Sequence, residues 1–466
     1  MRRGALVAIA SATLLASLGT SSANVALPSI ATDFDAPFAS VQWVVLAYLL
    51  TSTTSMLGVG RLGDHFGLRR LLLAGISLFT TASLAAGLAP TLPMLILARA
   101  VQGIGAAAMT VLAMAYAGSA TRGSRTGRMM GLLGTTSAVG TALGPALGGA
   151  ILLHGDWPAL FVVNLPLGLL TLWLAHRHLP PAPAAADGKH VAFDRAGAAA
   201  STFALAAFAL AMTNPVDDSG WLLPGLALAT AVGFAAFVHV ERRAVAPLLP
   251  LSLLAAPATR RRLAGTVLVT MVLMATLVVG PFHLARAFGL DAADVGLVMA
   301  TGPLVAALAG IPAGRLVDRI GAARMARLGF GGITVGAALV ALLPAHFGLV
   351  AYVVPLLVLT AHYAVFQTAN NVSVLANVPA DRRGSLSGLL QLARNLGSIT
   401  GSAGMGAAFA AACGDHPPAT APAEVVADAT RSTFLLASLL LLVAGLGALY
   451  FARNGRAPAM PSTRAL

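Results

Sequence analysis

The sequence predicts an all-α integral membrane fold: fourteen transmembrane helices, set out as two six-helix bundles related by a parallel repeat plus two inserted helices. Three observations predict it. Hydrophobic residues make up 58% of the 466 residues, charged residues only 10%, and the mean hydropathy is +0.84. A water-soluble domain carries about 25% charged residues and could not cover its surface with this composition. Apolar runs of 18 or more residues recur along the chain, long enough to span a bilayer as helices and too long for barrel strands of about 10. The segment Gly60-Arg61-Leu62-Gly63-Asp64-His65-Phe66-Gly67-Leu68-Arg69-Arg70 returns 254 positions later as Gly314-Arg315-Leu316-Val317-Asp318-Arg319-Ile320-Gly321-Ala322-Ala323-Arg324. A charged island repeated between apolar segments marks two halves as structural copies, the pattern of paired bundles around a central cavity.

Spans are expected near 5–27, 41–60, 71–89, 92–118, 129–153, 158–175, 195–214, 221–240, 262–284, 292–314, 325–343, 347–371, 384–412 and 432–452. Pro28 closes the first, and the two charged islands close the second and tenth. Met1-Arg2-Arg3 before the first span could imitate a secretory signal. The apolar pattern runs through the candidate cleavage site, so an uncleaved first helix is expected. The second span matches the tenth, eight spans on, where six-helix halves alone would give six. The extra pair therefore falls at spans seven and eight. A second register agrees: Gly127, Gly131, Gly140, Gly144 and Gly149 are echoed 257 positions on by Gly384, Gly388, Gly397, Gly401 and Gly406. The expected domains are a first bundle over 1–176, a linker with the inserted helices over 177–259, a second bundle over 260–452, and a tail over 453–466. Segment 176–194 is the longest polar stretch. Segment 241–261 carries Pro247, Pro250 and Pro257, and its Leu248-Leu249-Pro250-Leu251 core should lie along the membrane interface.

Arginines set the orientation. With Arg2 and Arg3 in the cytoplasm, every loop on that side is basic, and the opposite loops hold only Arg286 and Arg431 among many acids. Both termini are then cytoplasmic. The net charge of +13 lies in short loop clusters without aromatic interleaving, so nucleic acid is not expected as a partner. Cys413 is the single cysteine, which excludes an intrachain disulfide, and no zinc-ligand spacing occurs. No metal or cofactor is expected. Paired catalytic carboxylates and phosphate-binding loops are absent, which argues against an enzyme and against a self-contained ATP-driven pump.

Several residues stand out against the apolar background. Gly60, Arg61, Gly63, Asp64, Gly67, Arg69 and Arg70 suit a cytoplasmic gating loop. The glycines allow a tight turn, and Asp64 can cap a helix or pair with the arginines. Arg99 lies inside the fourth span with Gln102 on nearly the same face. A charge at that depth must face a cavity or a partner. Arg394 sits similarly in the thirteenth span. The twelfth span carries His362, Tyr363, Gln367, Asn370 and Asn371, with His362, Phe366 and Asn370 on one stripe. Histidine is the side chain that ordinarily changes charge near neutral pH, so His362 is a candidate proton carrier. Asn24, Gln42, Tyr48, Gln367, Asn370 and Asn371 are candidate substrate contacts. Gly140, Gly144, Gly148 and Gly149 form a small-residue face on the fifth span, and Pro145 bends it.

Taken together these motifs resemble the Major Facilitator Superfamily. Gly60 to Arg70 is similar to its loop signature, Arg99-Ala100-Val101-Gln102-Gly103-Ile104-Gly105-Ala106 to its fourth-helix signature, and Gly140 to Gly149 to the fifth-helix signature associated with antiporters. Asn24-Val25-Ala26-Leu27-Pro28, Gln42-Trp43 with Tyr48, and Asn164-Leu165-Pro166-Leu167-Gly168 resemble the fourteen-helix drug:proton antiporter branch. The resemblance covers the whole chain. It implies proton-driven efflux of drugs or other amphiphiles, with a role for Arg99 in proton coupling; a small-metabolite importer or uniporter is the alternative on the same fold. The expected partners are a small-molecule substrate, protons and the lipid bilayer, and a monomer is expected. The Ala- and Arg-rich composition with a single Lys suggests a bacterial plasma membrane. One departure is plain. The branch usually has an aspartate five residues before Asn24, and here that position is Gly19. No Asp or Glu falls in the middle of any expected span, which weakens coupling through an acid and a strict preference for cationic cargo.

Overall fold

A computed structural model describes residues 3–119, 124–179, 195–213, 222–244, 256–343, 347–375 and 383–454. Within them every regular element is helical. The first half holds α1 (Arg3–Asp33), α2 (Phe38–Val41), α3 (Trp43–Phe66), α4 (Leu68–Gly87), α5 (Leu92–Ser119), α6 (Ser124–His154), α7 (Ala159–Val162) and α8 (Asn164–His178). Then follow α9 (Arg195–Thr213) and α10 (Leu222–Arg243). The second half holds α11 (Pro257–Ala287), α12 (Ala292–Ile320), α13 (Ala322–Leu342), α14 (Val350–Leu375), α15 (Arg383–Thr400), a π-helical turn (Gly401–Met405), α16 (Gly406–Ala412) and α17 (Ala423–Asn454). Among the described residues ten helices are long and apolar enough to cross a membrane. Leucines such as Leu97, Leu228, Leu308 and Leu446 stand exposed on their outer faces, as lipid-facing positions require.

Helix edges follow local chemistry. Pro257 opens α11 at a position where its missing N–H would have no partner anyway. The Asp291 carboxylate accepts the Asp294 N–H at 2.8 Å and caps α12. Three expected edges are corrected. Pro28 lies inside α1, which continues to Asp33; a bilayer helix tolerates proline when neighbours satisfy the freed carbonyl. Arg260, Arg261 and Arg262 belong to the start of α11 rather than to a loop. The charged island from Gly60 to Phe66 is the last part of α3, not a turn. Gly63 is helical there and packs against Leu112 of α5. Only Gly67 breaks the chain direction, at φ 86° and ψ 132°. Its repeat partner Gly321 does the same between α12 and α13, at φ 93° and ψ 139°. A left-handed φ of this kind favours glycine, so both copies of the repeat make one bend from one residue.

In the first half α1 packs on α6, α3 and α4 on α5, and α8 on α4; in the second, α13 packs on α14 and α17, and α11 on α15. Helices α9 and α10 pair with each other, and α9 rests on α3 and the π turn. The halves meet where α6 crosses α12, where α1 meets α11, and where α3 meets α15. One end of the bundle carries the α1–α2 connection with Asp33 and Asp35 and the start of α12 with Asp291 and Asp294; it is called the acidic face below. There Phe38 of α2 lies edge-on to Phe282 of α11, with ring centroids 4.9 Å apart, and Phe409 of α16 completes the cluster. T-shaped contacts of this kind add about 0.5–1.5 kcal/mol beyond the area they bury.

Candidate functional site

Three arrangements of polar or small residues stand out inside this fold. Arg99 of α5 is completely buried. Its Nε donates to the Val44 carbonyl at 2.9 Å, and Nη1 donates to the Gly19 carbonyl at 3.0 Å and to Gln102 Oε1 at 2.5 Å. Gln102 passes the chain on, donating from Nε2 to Ser83 Oγ of α4 at 2.6 Å. The guanidinium carbon lies 4.3 Å from the Tyr48 ring centroid and 5.7 Å from that of Phe161. The Tyr48 hydroxyl donates to the Ala16 carbonyl at 2.8 Å. Nη2 has no partner. Among the described residues the sole salt bridge joins Arg431 to Asp428 at 3.8 Å on the surface. Arg99 is thus charged, buried and without a carboxylate. Carbonyl dipoles and aromatic faces from α1, α3 and α7 hold it, each hydrogen bond to a charge contributing roughly 1.5–3 kcal/mol. The cage ties α5 to α1, α3 and α4. It is closed to ligand.

Gly19 shows why the expected acid is missing. A Cβ built on it would come 2.8 Å from Cζ of Phe79 and 3.7 Å from the Tyr48 hydroxyl. The space an aspartate would need is filled by an aromatic ring, and the Gly19 carbonyl accepts from Arg99 instead.

The second arrangement is a pair of seams between the halves. Gly149 of α6 meets Gly296 of α12 backbone to backbone; a Cβ on Gly149 would lie 2.7 Å from Gly296 Cα, and one on Gly296 would lie 2.6 Å from the Pro145 carbonyl oxygen. Gly406 of α16 meets the Gln42 side chain of the α2–α3 junction. Gln42 Nε2 donates to the Ser402 carbonyl at 3.0 Å, inside the π turn. The two seams are one contact seen twice: Gly149 maps onto Gly406 and Pro145 onto Ser402 at the 257-residue offset, and Gln42 onto Gly296 at the 254-residue offset. Where the first copy carries a proline, the second carries a π turn, and the Pro145 and Ser402 carbonyls both face across the seam. Gly140, Gly144 and Gly148 face the other way, against Leu14, Ser21 and Ser22 of α1. The small-residue face thus serves two partners.

The third arrangement is a narrow cleft of about 10 Å³, room for one water molecule, lined by Thr266, Thr270, Tyr363, Phe366, Gln367, Asn370, Asn371 and Arg394. Arg394 donates from Nε and Nη2 to Gln391 Oε1, at 3.2 and 2.7 Å. Gln391 Nε2 donates to Asn395 Oδ1 at 3.1 Å, and Asn395 Nδ2 reaches Met56 Sδ of α3 at 3.5 Å, across the halves. Asn370 donates to Thr266 Oγ1 at 2.8 Å.

The residues singled out from sequence therefore divide. Gln367, Asn370, Asn371 and Arg394 come together. His362 does not join them: its Nδ1 bonds its own helix at the Val358 carbonyl, 2.8 Å away, and the ring packs on Gly332 of α13. Gln42 and Tyr48 are committed to the seam and to the Arg99 cage, and are not cavity residues. Asn24 is buried against its own helix, donating to the Thr20 and Ser21 carbonyls at 3.3 Å. In the gating segment Arg69 donates to the His176 carbonyl at 2.6 Å and ties α4 to α8, while Arg70 is exposed. The side chains of Arg61 and Asp64 lie outside the described residues, as do the linker around Pro250 and the tail from 455. In the second copy Arg315, Asp318, Arg319 and Arg324 are exposed and make no ion pair among the described residues. Sequence reasoning passed over Gly296 and Ser402, although the two repeat offsets point to both. It also passed over His283, buried between Phe288 and Tyr352 with ring centroids 5.1 and 5.3 Å away.

The sequence matches the family described as Major Facilitator Superfamily over residues 9–240 and 262–465. The chain belongs to that superfamily. It is a multi-pass membrane transporter, and the interval between the matched stretches is the 241–261 segment read above as a linker. It is 34% identical to the uncharacterized transporter YebQ of Escherichia coli, covering 86% of this chain and 88% of that protein. It is 29% identical to the riboflavin transporter RibZ of Clostridioides difficile over 87% of this chain and 88% of that one. It is 30% identical to the multidrug resistance protein Stp of Mycobacterium tuberculosis over 83% and 72%. The fold resembles the crystal structure of a bacterial homolog of the human lysosomal transporter Spinster in an inward-facing, unoccupied conformation, with a TM-score of 0.70, 17% identity, and 98% and 100% of the two chains covered.

Proposed function

We propose that the chain is a secondary active exporter of drugs, antibiotics or other small amphiphiles, working by alternating access and proton antiport. It crosses the inner membrane of a bacterium fourteen times, with both termini cytoplasmic, as a monomer. Residues 1–176 and 260–452 are the moving bundles, and the inserted pair within 177–259 packs outside them. The acidic face is external. The observation that carries this reading is the pair of repeat-related seams. The glycine–proline segment that resembles the antiporter signature supplies one of them, and its echo supplies the other. Backbones in direct contact can part and rejoin as rigid surfaces, which is what rocking of one half against the other requires. Drug efflux draws further support from the similarity to Stp, a multidrug resistance protein. With no acid at Gly19 and His362 turned away, the Arg99 cage is the element whose making and breaking couples the proton to the bundles.

A second reading has its own support. The similarity to RibZ, a riboflavin transporter, fits movement of a small metabolite on the same fold. Direction separates the two. Cells lacking their own pumps are loaded with a fluorescent amphiphile, de-energised, then re-energised with and without this protein. Energy-dependent loss that requires the protein supports export; protein-dependent uptake down a gradient overturns it.

A further inference from the structure

We propose that Arg394 sets cargo specificity: the cleft between α11, α14 and α15 anchors an anionic group, such as a carboxylate or sulfonate, on an otherwise apolar cargo. This rests on the transporter reading of the same cleft and names its substrate class.

Arg394 is the charged member of the lining, and no carboxylate lines the cleft with it. Two of its nitrogens, Nε and Nη2, are held by Gln391, which fixes the plane of the guanidinium. Its third nitrogen, Nη1, is left without a partner among the described residues and is free to donate. Gln367 and Asn371 bring amide groups to the same lining, Asn370 is already bonded to Thr266, and Phe366 offers an apolar wall. An uncompensated guanidinium among neutral donors in a low-dielectric setting attracts an anion and repels a cation. Arg99 cannot take this role, because it is fully buried and bonded to carbonyls. The cleft now admits one water molecule, so a carboxylate or sulfonate enters only when α15 and α3 part and the cleft widens. The Gln391–Asn395–Met56 chain joins those two helices, so the guanidinium is braced by the half it must part from.

The test uses the full chain in lipid nanodiscs and a matched pair of fluorescent probes. 8-Anilinonaphthalene-1-sulfonate and N-phenyl-1-naphthylamine share their ring system and differ in the sulfonate; ethidium is the cationic comparison. Protein-dependent binding is measured for the wild type, Arg394→Gln and Arg394→Lys. The wild type should prefer the sulfonate. Arg394→Gln should weaken the sulfonate by about tenfold, the worth of one charge-assisted hydrogen bond, and leave the neutral probe unchanged. Arg394→Lys should restore part of the preference, since the charge remains and the fixed plane is lost. Binding of the neutral probe reports that each variant is folded. An unchanged sulfonate-to-neutral ratio in Arg394→Gln, a wild type that prefers ethidium, or one that does not bind the sulfonate would each overturn the proposal. The same probes in transport assays separate the two readings. An Arg394-dependent preference in binding without export would leave the site standing and remove the efflux reading.

Discussion

Replacing Gly296 by alanine should weaken closure at the acidic face. A Cβ on Gly296 would sit 2.5 Å from Gly149 Cα, 2.6 Å from the Pro145 oxygen and 2.8 Å from Gly149 N. All three are backbone atoms, so no side chain can swing aside. Ordinary contact would require α12 to retreat by roughly 1 Å, and overpacking of this kind costs about 1–3 kcal/mol. The cost falls on the state in which α6 and α12 touch, not on the parted one. The ratio of closed to open molecules should therefore drop by a factor of about 5 to 150. Gly310→Ala on the same helix is the control, because nothing lies within 4 Å of its Cβ. Spin labels at exposed Asp35 and Asp291, one on each half, in a Cys413→Ser background, would report the separation by double electron–electron resonance. Gly296→Ala should add a longer-distance population that Gly310→Ala lacks. Identical distance distributions in both variants would refute the claim that this seam holds the acidic face shut.

Further predictions follow from the same contacts. Gln42→Leu leaves the Ser402 carbonyl buried without its donor, at a cost of about 1–3 kcal/mol, and should shift the same label pair toward the longer distance. Arg99→Lys should not rescue Arg99→Ala in transport, because one ammonium cannot reach the Val44 and Gly19 carbonyls and Gln102 together; a Lys variant with wild-type turnover would contradict the cage. Gly19→Asp should lower the melting temperature by colliding with Phe79, and Phe79→Ala should relieve part of that loss; a fully stable Gly19→Asp would show that the site tolerates the acid. His362→Ala should keep energy-coupled transport, since the ring is bonded to Val358 and packed on Gly332; loss of coupling with binding intact would return His362 to the mechanism.

Much of the fold is legible in the sequence because a bilayer leaves few choices. Long apolar runs must be helices, and the matched bends at Gly67 and Gly321 follow from one repeated motif. What the sequence misjudges is where a helix stops. The segment Gly60–Phe66 is polar and glycine-containing, yet it stays helical because Gly63 packs on α5 and nothing before Gly67 forces φ positive. The same limit applies to the site. Arg99 with Gln102 and Arg394 with Asn370 are marked by polarity in an apolar setting, and each pair lies in a common polar arrangement. Which way a polar side chain turns is decided by partners on other helices. Gln42 turns to a carbonyl inside a π turn that no residue type announces, and His362 turns into the gap left by Gly332. The absence of an acid at position 19 is visible in the sequence, but its reason, the Phe79 ring, belongs to tertiary structure.

Proton antiport is tested most directly by proton release from inverted vesicles holding an inside-acid gradient, followed with a pH-sensitive dye as amphiphiles are added. The gradient should collapse in a way that depends on added substrate and disappears in Arg99→Ala. Substrate movement across an undisturbed gradient would contradict antiport.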